Sequence, residues 1–167
     1  SNSKNIRLEA ESTIQKSNLN WTILRPTMIY GTPADRNMIR LAKWISKWPI
    51  IPIFGNGQSL QQPVNVSDVA NSIVKVIDNP STFLKAFNIS GPEALTYIQI
   101  IKDTEKALNR NIIKIYIPYK FIIHILNFFE SRGVFFPIKA EQIQRLNEDK
   151  SFSHSDAVKA FKYNPVG

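Results

Sequence analysis

Apolar positions along the chain switch between helical and strand spacing. Residues 7–16 combine good helix formers with Leu8, Ala10 and Ile14. Residues 21–24 are a short apolar run ended by Arg25 and Pro26, which predicts a strand buried on both faces. Met38, Leu41, Ala42 and Ile45 recur at helical spacing over 35–48, and Pro49 stops that helix. Residues 50–54 then lead into a Gly55-Asn56-Gly57 turn. Ser67 and Asp68 are placed to cap a helix through Val69, Ile73, Val76 and Ile77, which Asn79-Pro80 ends. Residues 86–89 read as a strand and Gly91-Pro92 as a turn. Thr96 and Gln99 form a capping box before Ile100, Ile101 and Leu108. Residues 112–117 are rich in β-formers, and helical pieces follow at 121–129, 140–146 and 155–161. Strands separated by helices predict an α/β fold whose later half is weighted towards helix.

Composition narrows the chemistry. A chain of 167 residues buries about 70% of the surface its unfolded form exposes, so no disulfide or metal staple is needed. With no cysteine, disulfide scaffolds, thiolate zinc sites, iron–sulfur clusters and thiol nucleophiles are excluded. His124 and His154 are the only histidines, so no metal is held by several imidazoles and none is expected. The apolar stretch 112–137 is interrupted by Lys114, Pro118, Lys120, His124, Glu130 and Arg132, and does not read as a membrane span. The opening Ser-Asn-Ser reads as a cloning remnant, and no secretory signal follows it. These features predict a cytoplasmic protein, with the inner face of the membrane as a second location. Twenty-one Lys and Arg against 13 Asp and Glu favour a phosphate-bearing or otherwise anionic partner.

Four motifs occur in order: LRPTMIYG at 24–31, PIFGNG at 52–57, QQPVNVSDVA at 61–70 and FNISGPE at 87–93. With the tail AFKYNPVG at 160–167, they resemble the C-terminal half of an extended short-chain dehydrogenase/reductase, in the NAD-dependent epimerase/dehydratase group. The resemblance implies the last parallel strands of a Rossmann-like domain plus a small, mostly helical substrate-binding lobe. Residues 1–34 would end the Rossmann-like domain. Residues 35–167 would form mainly the lobe, with 63–90 returning to the sheet.

Several roles follow from the resemblance. Arg25, Pro26 and Thr27 would lie at the cofactor edge, where backbone meets the nicotinamide carboxamide. Tyr30, Arg36, Arg40, Lys43, Gln61 and Asn65 would face a nucleotide-sugar or other phosphate-bearing substrate. Arg36, Arg40, Lys43 and Lys47 share one helical face, and Arg and Lys suit phosphate oxygens. The same pattern also reads as a solvated face. The family's Tyr-x-x-x-Lys pair aligns with Ser3 and Arg7, so no catalytic residue is assigned. Either the tyrosine lies upstream or the protein is an atypical member. Gln61 stands where the sugar-nucleotide epimerases commonly carry an arginine, and a glutamine there drops a charge.

The glycines at 31, 55, 57, 91, 133 and 167 do not make the Gly-x-x-Gly-x-x-Gly turn that brings backbone N–H groups to a pyrophosphate. NAD or NADP is therefore expected in a full-length protein and not tightly bound by these residues alone. The expectation is a substrate-binding fragment, inactive alone and oligomeric, because a lone parallel strand leaves bare edges. The alternative is a non-catalytic accessory protein of the same ancestry. The aromatic stretch 116–137 (Tyr116, Tyr119, Phe121, Phe128, Phe129, Phe135 and Phe136) reads as core plus a lid, or as a peripheral membrane contact. It is too apolar for base stacking, and no nucleic-acid partner is expected. His124 reads as a buried imidazole.

Overall fold

Four five-residue segments become the long strands of the computed structural model, which describes residues 2–35, 37–118, 120, 122–123, 128, 131–132 and 147–166. They are β1 (Thr22–Pro26), β3 (Ile50–Phe54), β6 (Lys85–Ile89) and β8 (Ile113–Ile117). Four two-residue strands were not predicted: β2 (Ile29–Tyr30), β4 (Leu60–Gln61), β5 (Val64–Asn65) and β7 (Leu95–Thr96). Helices α1 (Asn2–Gln15), α2 (Met38–Lys47), α3 (Val66–Val76), α4 (Tyr97–Ala107) and α5 (Ser155–Phe161) alternate with them, as an α/β fold requires. The chain divides into two units, Ser1–Thr32 with Gln62–Glu93 and Ser151–Gly167, and Pro33–Gln61 with Ala94–Lys150.

In the first unit β1 runs parallel to β6, with Leu24 beside Phe87 and Pro26 beside Ile89. Its core joins Val64, Phe87, Ile89, Ala157, Phe161 and Tyr163, with Leu24, Val69 and Val76 packed against them. Phe87 and Phe161 meet edge-on at 5.3 Å, so the last helix closes over the strand. The sequence predicted β1 buried on both faces. Instead Thr22, Ile23 and Leu24 are half-buried and Arg25 and Pro26 exposed, because β6 is the strand's only described neighbour. The Trp21 indole N–H beside it is buried without a hydrogen-bond partner among the described residues. Helix α3 is capped by Asn65, whose Oδ1 accepts the Ser67 N–H at 2.9 Å, and not by Ser67 or Asp68. Asp68 lies inside the helix, buried, with Oδ2 accepting the Val166 N–H at 3.1 Å.

In the second unit β3 and β8 pair in parallel, Ile50 beside Ile113 through Phe54 beside Ile117. Ile45, Ile51, Ile53, Ile101 and Ile112 form its core, with Leu41, Tyr97, Ile98 and Leu108 around them. Helix α2 starts three residues later than predicted. The Asp35 carboxylate accepts the N–H groups of Asn37 (2.7 Å) and Met38 (3.2 Å), which fixes the chain outside the helix. Thr96 caps α4 by accepting the Gln99 N–H at 3.2 Å. The return arm of the box is not made, because Gln99 Nε2 donates to Asp103 instead. Gly57 (φ +70°) makes the turn after β3, and a Cβ there would press on Ile53 Cγ2 at 3.2 Å. Glu105 is buried and accepts from Lys114 Nζ (2.6 Å) and from the Ile112 N–H (2.8 Å). Most of the predicted helix 121–129, the predicted helix 140–146, Arg36 and His124 lie outside the described residues.

Candidate functional site

In open α/β sheets, ligands bind beyond the carboxyl ends of parallel strands. Here that edge is the end of β1 and β6, and its backbone is tightly specified. The Thr27 N–H donates to Ile89 O at 3.0 Å, which carries the ladder one residue past β1. The Thr27 hydroxyl donates to the Gln62 carbonyl. The Val64 N–H donates to Met28 O at 2.9 Å, and β2 pairs with β5 so that Tyr30 lies beside Asn65.

Gln62 ties this edge together. It is buried; Nε2 donates to Gly91 O at 2.8 Å and Oε1 accepts the Phe152 N–H at 2.9 Å. Gly91 passes so close that a Cβ would stand 1.9 Å from Pro63 O, so no other residue fits there unless the backbone moves. Sequence reasoning chose Gln61 and missed Gln62. The Gln-Gln-Pro triplet carries no local signal that separates the two glutamines.

Among the described residues Ser90 and His154 form a pair that could suggest a nucleophile, and their bonding argues against it. The buried Ser90 hydroxyl donates its single hydrogen to Phe152 O (2.8 Å), so the 2.8 Å contact with His154 Nδ1 has the imidazole as donor. Such a histidine takes no proton from the serine. The Tyr163 hydroxyl donates to Ser90 O at 2.9 Å; burial, with the Asp68 carboxylate second, pushes its pKa up to about 12. These groups fasten the C-terminal segment to β6.

The first unit holds Arg25, Pro26, Thr27, Tyr30 and Asn65. Arg25 donates to the Glu11 carboxylate from Nε at 3.0 Å, and its second nitrogen closes a bidentate ion pair. That hydrogen bond, followed by charge attraction, holds Glu11 below the usual carboxylate range and Arg25 above its own. The guanidinium is therefore engaged with α1, and the backbone of 25–27 is what the edge offers. Asn65 Oδ1 is committed to the α3 cap. The second unit holds Arg40 and Lys43, both exposed on α2, and Gln61, which is buried with Nε2 reaching Glu148 O at 3.4 Å. Arg7 is exposed on α1. Among the described residues no group of three acidic or imidazole side chains is arranged to hold a metal.

The residues present fit only part of a dinucleotide. The edge at 25–31 could border a nicotinamide ring, whereas nothing in the sequence supplies a glycine-rich pyrophosphate turn.

The model of the NAD dependent epimerase/dehydratase family matches residues 6–90. The chain is 32% identical over 105 residues to the chloroplast stem-loop binding protein of 41 kDa b from Arabidopsis thaliana, covering 60% of this chain and 27% of that protein. It is 36% identical over 76 residues to the mitochondrial NADH dehydrogenase [ubiquinone] 1 alpha subcomplex subunit 9 of the same plant, covering 45% and 19%. With UDP-glucose 4-epimerase of Vibrio cholerae it shares 24% over 94 residues, covering 56% and 29%. It thus spans less than a third of each of these relatives. The crystal structure of UDP-glucose 4-epimerase with UDP-glucose from Thermotoga maritima shares the fold, with a TM-score of 0.67 at 17% identity over 95% of this chain and 45% of that one. The chain belongs to the NAD-dependent epimerase/dehydratase family.

Proposed function

We propose that these residues are the substrate-side, C-terminal part of an NAD(P)-dependent nucleotide-sugar epimerase or dehydratase, and that they do not turn over alone. The observation that carries this reading is the coincidence of the family match over 6–90 with the parallel β1–β6 pair and its bonded Arg25–Gly31 edge. The cofactor supplies hydride removal and return at a sugar carbon. The backbone at 25–27 borders the nicotinamide, and Tyr30 with the Asn65 NH2 group meets sugar hydroxyls. The edge of β1 that pairs with no strand among the described residues makes the 167 residues alone self-associate; a compact monomer by light scattering at high concentration counts against that.

A second reading is an accessory protein that retains the fold without turnover. It is favoured by the relatives at 32% and 36% identity, whose names describe a stem-loop binding protein and a subunit of NADH dehydrogenase. Titration of the intact polypeptide with UDP-, GDP-, CDP- and dTDP-sugars, with NAD or NADP present, decides between the two. Binding of one such sugar supports the enzyme, and binding of none leaves the accessory protein.

A further inference from the structure

We infer that the exposed side of α2, together with the adjoining start of the β3–β8 pair, docks on an anionic lipid surface. Helix α2 buries Ile45 and packs Leu41 against the core of its unit, which turns Trp44 and Trp48 outward. Their exposures are 44% and 50%, unusual for the side chain with the most apolar area to hide. The two rings lie 6.2 Å apart, tilted by 38°, and form one aromatic pad. The Trp44 Nε1–H donates to Ile50 O at 2.8 Å, so this ring is held outward before any partner arrives.

The pad continues into aliphatic surface. Ile50 and Ile113 are register partners on β3 and β8 and are both exposed; Ile115, on the same face of β8, is exposed as well. Cations surround it. Arg40, Lys43 and Lys47 are exposed on α2, which carries no acidic residue, and Lys47 Nζ lies 6.0 Å from the Trp48 ring. Both ion pairs among the described residues are elsewhere, at Arg25–Glu11 and Lys114–Glu105. Tryptophan beside lysine, with aliphatic carbon between, matches the layering of a membrane interface: rings at the glycerol level and ammonium groups among the phosphates. A base sandwiched by two rings needs them parallel, and exposed isoleucines offer nothing to a nucleotide. No helix among the described residues is long and apolar enough to cross a membrane, so the contact is peripheral.

The test is co-sedimentation of the intact polypeptide with phosphatidylcholine vesicles, with and without about one-third phosphatidylglycerol, the ionic headgroup attraction adding to the apolar contact. Binding is expected to the anionic vesicles only, to fall as salt is raised, and to shift tryptophan emission to the blue. Trp48→Ser should weaken it about tenfold and Lys47→Glu about fivefold or more, with the folded circular dichroism spectrum retained because neither side chain is buried. Undiminished binding by both variants overturns the proposal. So does equal binding to neutral vesicles, or retention of a single-stranded oligonucleotide with no vesicle binding. Neither Lys47 nor Trp48 belongs to the proposed sugar site. Nucleotide-sugar titration of the same variants therefore tests that reading separately.

Discussion

The two units solve the same packing problem with different materials. The first wraps aromatic rings and a small residue, Phe87, Phe161, Tyr163 and Ala157, around Val64 and Ile89. It secures them with side chain-to-backbone bonds from Gln62, Ser90, Tyr163 and Asp68. The second stacks five isoleucines and secures its edge with one nearly buried ion pair, Glu105 to Lys114. Branched aliphatics interlock by shape alone, whereas rings joined from distant stretches of chain need directional bonds to fix their register. The difference teaches where each unit is fragile: the first at its crossing points, the second at its charge.

The largest effect is expected from Gly91→Ala. A methyl group 1.9 Å from Pro63 O forces the backbone apart, at a cost of about 3 kcal/mol or more. Urea denaturation should show it, and a change below about 1 kcal/mol would show that the crossing is not rigid. The second unit is probed by Glu105→Gln. Burial pushes the Glu105 carboxyl up, but the hydrogen bonds from Lys114 and the Ile112 N–H outweigh it and hold the group below its ordinary 4.5. A depressed pKa means that its stabilisation is complete above that value and is lost as the pH falls through the lowered one. The variant should lose about 2 kcal/mol at neutral pH and show a flatter acid limb. An acid limb as steep as in the parent would remove the pair from the account.

Tyr163→Phe is expected to cost about 1 kcal/mol, the worth of one hydrogen bond to Ser90 O. Its signature lies at high pH. The folded pKa is raised from 10.0 to about 12, so the parent keeps this contribution below pH 10 and loses it as the pH rises to 12. One pKa unit is about 1.4 kcal/mol, so alkaline melts of parent and variant should converge and then cross before pH 12. Smallest of all is Arg25→Met. Its side chain is 45% exposed, so the Glu11 pair should be worth about 0.5 kcal/mol or less in thermal melts. A larger loss would mean that α1 depends on this contact.

Much of the fold was legible because it follows local rules. Periodicity located all five described helices and three of the four long strands, and Pro49 and Asn79-Pro80 stopped helices where expected. Caps were less legible, because Asn65, Ser67 and Asp68 can all bond a helix N-terminus and only the path of the chain selects among them. Two-residue strands have no period to read. That α5 packs on Phe87 is a long-range fact carried by a single aromatic pair. At the candidate site Gln61 and Gln62 are chemically identical. Only the alternation of the chain at Pro63 assigns one to the β4 edge and the other to Gly91.

The interleaving of the first unit has a consequence for how the protein is made. Val64, Phe87 and Ile89 leave the ribosome well before Ala157, Phe161 and Tyr163, the residues that complete their core. During that interval, at roughly 5–20 residues per second, an apolar strand pair waits uncovered for several seconds. Throughout it the nascent chain is a natural client for chaperones.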